Sequence, residues 1–220
     1  MRKHVLKLMM TALLLAWVMP CVNAQNAQDE NEAQNDKIEI GYILCEGNTV
    51  VSPDDFDASK YKAIGVVYNV DDSGEHGWAV SLKDEGFFAW GGYGDDTELE
   101  NYSTRGSAAD DVDGLNNTKT ILELEKDYPA FSAVDFQNGW YLPAAGQLRK
   151  LYKNIKDVNA GLEKVGAEVV KPYGVTYWSS TEYSDIDAWY LTTIGGLEHT
   201  SDGYYDHKNG IRIVRSVRDF

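Results

Sequence analysis

The residues able to do chemistry are few and scattered. Beyond the first two dozen positions the histidines are His76, His199 and His207. They lie too far apart to share one helical turn or a metal-binding hairpin, so surface histidines are the plain reading. No G-x-S-x-G elbow or His-x-x-His occurs, and the acid pairs Asp54/Asp55 and Asp95/Asp96 are adjacent in turn-like contexts. Such pairs are not poised across a cleft, and the sequence points away from an enzyme and calls for no cofactor. The stretch Ala109 to Thr120 fails as a calcium loop, because Ala109 stands at the first ligand position and Thr120 replaces the closing Glu. Asp185 and Asp187 alternate, so on a strand both would face one side. They could join Glu182 or Asp202 in an oxygen site, and convergence of His199, Asp202 and His207 would make a metal centre; both stay open, beside the simpler reading of solvated turn acids.

Recognition chemistry is better represented. Tyr204, Tyr205, Asp206, His207 and Asn209 form a polar, glycine-bounded stretch with no apolar periodicity. Tyrosine among small polar neighbours suits an adaptable contact surface; a plain hairpin tip is the alternative. Asp185, Asp187, Trp189 and Tyr190 precede it and, with His199 and Asp202, complete the candidate ligand-binding set. Trp78, Trp90, Trp140, Trp178 and Trp189 sit in stretches that look structured, and core packing is expected of them, with Trp189 the one nearest to the candidate surface.

These residues must be positioned by a chain of 220 residues, enough for one ordinary domain. Arg2, Lys3 and Lys7 precede the apolar run Leu8–Met19, and Val22-Asn23-Ala24 ends in small residues, which reads as a signal peptide over 1–24. Cys21 could instead carry a lipid, the one expected route to a membrane, although Pro20 sits where such processing wants a small flexible residue. Residues 25–36, QNAQDENEAQND, contain no large apolar group and are expected to be a disordered acidic tether. The formal net charge is −15, and removing three basic residues with the leader takes it to about −18, which argues against nucleic acid as a partner. After such cleavage Cys45 alone remains of two cysteines, so no internal disulfide is available. It lies beside the apolar run Ile38–Leu44, next to Glu46, and reads as a buried small hydrophobe rather than a reactive thiol.

Within 37–220 the pattern predicts one α+β domain. Ile38, Ile40 and Tyr42 alternate as a strand would, and Ala63–Val70 with Gly77–Leu82 flank the turn Asp71-Asp72-Ser73-Gly74 as a hairpin. A short helix is expected near Asn116–Leu124, capped by Asn116 or Asn117. A clearer one follows Pro143, with Leu148, Leu151, Tyr152, Ile155 and Val158 on one face. A second short helix should run from Asn159 to Lys164. From Val175 onward YWSSTE, AWYLTTI and GIRIVRSV read as strands, with a turn-rich stretch over 195–210 before the last. Arg212, Arg215 and Arg218 on that last strand could pair with acids inside the domain or bind an anionic ligand.

The ordered set Gly139-Trp140-Tyr141-Leu142-Pro143, Tyr177-Trp178-Ser179-Ser180-Thr181-Glu182, Ala188-Trp189 and Val214-Arg215-Ser216-Val217-Arg218 resembles the DUF1566 family. This is the domain type at the C-terminus of a Legionella collagen-like adhesin, common in exported proteins of Bacteroidetes. The resemblance spans roughly residues 60–220. It implies a C-type lectin-like fold of short mixed or antiparallel sheets, two main helices and long loops. The sequence departs from the family pattern at Ala144, where a hydroxyl residue often caps the helix. The expected role is an exported, non-catalytic module at the cell surface or in the periplasm, binding a glycan or protein; the alternative is a structural or assembly subunit of a bacterial surface complex. Mass spectrometry of the exported protein should find a chain beginning at Gln25; a lipid-bearing N-terminal Cys21 would contradict the cleavage reading.

Overall fold

The computed structural model describes residues 37–193 and 203–220. The stretches expected to be a leader (1–24) and a tether (25–36), together with His199 and Asp202, lie outside the described residues. In chain order the strands are β1 (Ile43–Cys45), β2 (Val50–Val51), β3 (Ala63–Val70), β4 (Gly77–Ser81), β5 (Gly86–Ala89), β6 (Thr176–Glu182), β7 (Asp187–Thr192), β8 (Gly203–His207), β9 (Ile211–Val214) and β10 (Val217–Asp219). The helices α1 (Arg105–Asp110), α2 (Gly114–Glu123), α3 (Pro129–Ser132), α4 (Ala145–Lys153) and α5 (Ile155–Lys164) lie between β5 and β6. One five-stranded sheet has the order β10-β4-β3-β1-β2 and is antiparallel; the other runs β5-β9-β6-β7-β8, with β6 and β9 parallel. The α+β expectation holds. Among the described residues three helices reach nine or ten residues, where two main ones were expected.

Alternation along the second sheet gives it two buried faces. Tyr177, Leu191 and Ile213 face a core shared with α4, α5 and the strands β3, β4 and β10. Trp178, Ala188 and Val214 face a second core of Trp90, Ile121, Tyr128, Phe131 and Leu142. The helical face predicted from Leu148, Leu151, Tyr152, Ile155 and Val158 is buried as a set in the first core. The helix breaks at Asn154 rather than at Asn159, however. Asn154 leaves helical geometry at φ −105° and ψ 13°, and its side-chain amide donates to the Tyr68 carbonyl at 2.9 Å. That bond lets α4 and α5 follow β3 in two pieces.

Two further expectations are corrected. The strand predicted from Ile38 to Tyr42 begins only at Ile43, because the chain turns at Gly41 (φ +90°) against α5. A Cβ at Gly41 would stand 2.9 Å from the Asp157 carbonyl. GIRIVRSV is not one strand either. It divides at Arg215 and Ser216, so β9 closes one sheet and β10 the other. The switch is held by Arg215, whose fully buried guanidinium donates to the carbonyls of Ser81 and Glu168 at 2.7 Å each and to Asp84 at 3.1 Å. Arg212 pairs with Asp206, so two of the three arginines form internal ion pairs, while Arg218 lies over the Trp140 ring.

The Ala144 departure is compensated from a distance. Gln147 reaches back and accepts from the Ala144 amide at 2.9 Å, the half of a capping box that needs no hydroxyl at the cap. The next free amide, Ala145, donates to Thr181 Oγ1 on β6 at 2.8 Å, and the Thr181 hydroxyl donates to Asp111 Oδ2 at 2.7 Å. One buried hydroxyl therefore satisfies a helix N-terminus and a buried carboxylate together. Replacing Thr181 by Val keeps the shape and removes both bonds, which should cost about 1–3 kcal/mol of stability. Thr181→Ser should retain most of it; equal melting temperatures for the wild type and Thr181→Val would contradict this account.

Candidate functional site

The described candidate residues lie along the β7–β8 edge of the second sheet, in a form that differs from the expected loop. Tyr204 to His207 are strand, not loop: β8 pairs with β7 in the register Asp187↔His207, Ala188↔Asp206, Trp189↔Tyr205 and Tyr190↔Tyr204. Period-2 geometry then divides the set between two faces.

On the face shared with Leu191, the rings of Tyr205 and Tyr183 stack at 3.8 Å with 9° between their planes. Both meet Trp189 edge-on at 5.7 Å. Trp189 itself is buried, and its indole N–H donates to the Tyr102 carbonyl at 2.7 Å, so it supports the stack rather than meeting solvent. Tyr205 remains about half exposed (49%). Hydrogen bonding to Tyr205 and its nearby phenol push the Tyr183 hydroxyl pKa upward. One register step along, His207 Nδ1 meets Asp187 Oδ1 at 2.9 Å, and Tyr93 packs edge-on to the imidazole at 5.8 Å. Tyr93 is 53% exposed.

The opposite face is spent on packing. Arg212 lies 3.6 Å over the Tyr190 ring and 4.7 Å over Trp178, pairs with Asp206, and donates to Thr176 at 3.2 Å. Desolvation pulls the guanidinium pKa downward. Tyr190 and Asp206 are thereby bound up in an internal cation–π and ion-pair cluster.

Asp185 and Asp187 do not share a strand face as expected. Asp185 sits on the exposed bend before β7, where its carbonyl accepts from the Gly94 amide at 2.9 Å, and Asp187 opens the strand. Asn209 is exposed in the turn that follows β8. No group of three His, Cys, Asp or Glu among the described residues is arranged to hold a metal ion.

Sequence reasoning missed the residue that anchors this edge. Lys208 is completely buried, donates to Glu182 Oε1, and lies 4.7 Å over the Trp90 ring. Glu182 is also buried, and its second oxygen accepts from Thr97 at 2.6 Å. Burial pushes the Glu182 carboxyl pKa above its usual value, while Lys208 and Thr97 oppose that rise. The Lys208 amide donates to the Ile186 carbonyl, and its own carbonyl accepts from Gly91. The crossover from β8 over β7 and β6 to β9 is thus pinned at one lysine. A lysine amid Tyr, Asp, His and Asn looks solvated in sequence; the Tyr-Tyr pair, favoured in strands, was the available hint of β8.

No protein-family profile matches the chain, and no curated protein matches it by sequence. Among solved structures it is similar to a fimbrial protein from Bacteroides ovatus, with a TM-score of 0.62 and 17% identity over 83% of this chain and 49% of that one. The fold is therefore shared with a fimbrial protein, and this chain spans about half that protein's length. No helix among the described residues is long and apolar enough to cross a membrane.

Removing one partner of the buried pair, as in Lys208→Met, should cost about 3–5 kcal/mol, and adding Glu182→Gln should recover much of it. The pH dependence has a definite sign. A carboxyl raised in the folded state contributes stability that is full below its unfolded value near 4.5 and is lost as pH rises through the folded value. Without Lys208 the Glu182 carboxyl should rise further, so denaturant titrations should show a smaller penalty near pH 5 than near pH 8. A pH-independent penalty would contradict the pairing.

Proposed function

We propose that this protein is an exported structural or assembly subunit of a bacterial surface complex, with a C-type lectin-like domain of the DUF1566 type as its rigid body. The observation that carries the reading is the shared fold with a fimbrial protein over most of this chain. The side chains are consistent with a scaffold. Within the candidate set Asp187 is paired with His207 and Asp206 with Arg212, and beside it Glu182 is paired with Lys208, so these ionisable residues make contacts within the domain. In this reading the protein is not an enzyme, and the signal peptide and acidic tether deliver it to the outside and space it from its neighbours.

Direct recognition of a glycan or protein is a second reading, favoured by one feature. Tyr205, stacked on the part-buried Tyr183, and Tyr93 leave large rings open to solvent at the edge of the sheet, where they cost little ordering entropy on contact. The two readings meet if that face is where the subunit touches its neighbour. Cross-linking on intact cells, followed by gentle extraction, should recover the protein in a ladder or a large discrete assembly at the cell surface. Recovery solely as monomer would sink the subunit reading.

A further inference from the structure

The exposed rings form a strip rather than isolated residues. Tyr93 meets His207, and Tyr205 follows two residues back on the same face of β8 and stacks on Tyr183. Two aspartates adjoin the strip, and two further acids share the loop of Tyr93. Asp187 lies against His207, Asp185 is exposed on the bend that binds Gly94, and Asp96 and Glu98 are exposed on the loop that carries Tyr93. The cations adjoining in sequence are occupied elsewhere: Lys208 is buried on Glu182, and Arg212 is held on the other face of the sheet. Ring faces beside carboxylates are complementary to cationic side chains, with the ring quadrupole and the acids acting in the same direction. Arg212 on Tyr190 and Asp206 already shows this pairing inside the same sheet. The chain's net charge of −15 adds a long-range field that draws a basic partner and repels an acidic one.

We propose that the Tyr93–His207–Tyr205–Tyr183 strip is a docking surface for an extended basic segment of a partner protein, its arginine or lysine side chains lying on the tyrosine rings between the flanking acids. The proposal rests on the reading of the protein as a subunit that contacts other proteins. It specifies the chemistry of that contact.

The test is fluorescence anisotropy of labelled nona-arginine with the purified protein, at low and at physiological salt, beside nona-glutamate and a neutral hexasaccharide. Nona-arginine should bind and the other two should not. The Tyr93→Ala/Tyr205→Ala variant, which leaves every charge in place, should bind nona-arginine roughly tenfold more weakly at both salt concentrations, with the melting temperature checked to be near wild type. Asp96→Asn/Asp185→Asn should flatten the salt dependence. Absence of nona-arginine binding would overturn the proposal. So would undiminished binding by the tyrosine variant, which would reduce the effect to general acidity, or competition by the hexasaccharide, which would identify a sugar platform. If the tyrosine variant still assembles on cells like wild type, the subunit reading stands and this surface falls. If neither protein assembles, the subunit reading falls, and the titration still decides the chemistry of the strip.

Discussion

The structure depends on a strand that buries polar side chains and must satisfy all of them. Ser179, Ser180, Thr181 and Glu182 form the second half of β6 and are almost fully buried. An unpaired hydroxyl or carboxylate there would cost several kcal/mol, so each must find a partner, and each partner lies on a different element. The Ser179 hydroxyl donates to the Trp189 carbonyl on β7, and its own carbonyl accepts from the Trp90 indole. Ser180 accepts from Asn117 on α2, Thr181 caps α4 and binds Asp111, and Glu182 binds Thr97 and Lys208. The ladder with β7 is irregular between Trp178 and Glu182, where this strand turns from pairing with its neighbour to organising the loops around it.

Two buried cations carry the same logic into the chain's last segment. Lys208 holds the crossover that leads from the edge strand β8 back to β9, and Arg215 holds the passage from one sheet to the other. In both cases a buried charge is held by partners from distant parts of the chain, Glu182 and Trp90 for Lys208 and Ser81, Asp84 and Glu168 for Arg215, and removing one partner would leave the other charge buried and uncompensated. The exposed strip of rings follows from this arrangement. With Trp189 held beneath and the crossover pinned at one end, Tyr205, His207 and Tyr93 stand on a fixed base.

The periodic parts of the fold were legible in the sequence and the aperiodic ones were not. Apolar spacing marks the helical face from Leu148 to Val158 and the β3–β4 hairpin, because burial on one face imposes a period. The break at Asn154 was hidden, since it comes from a side-chain bond to a carbonyl 86 positions away. At the candidate site, Tyr204 to His207 read as loop because an edge strand whose exposed residues are Tyr205 and His207 lacks apolar alternation. Lys208 was illegible for a stronger reason. Its burial depends on Glu182 and Trp90, which are distant in sequence, and the local composition around it is that of a solvated turn. Thr181 lay in plain view within YWSSTE, yet only the structure connects it to the missing hydroxyl at Ala144.

If the buried polar half of β6 is what unites the fold, the backbone amides that depend on it should share one fate. Native-state hydrogen exchange at Ala145, Ser180 and Lys208 measures this, since their partners are Thr181, Pro143 and Ile186. The account predicts that all three exchange only through global unfolding, with one common free energy and the full denaturant dependence. Exchange of Ala145 or Lys208 through local, denaturant-independent opening, while Ser180 stays protected, would contradict it.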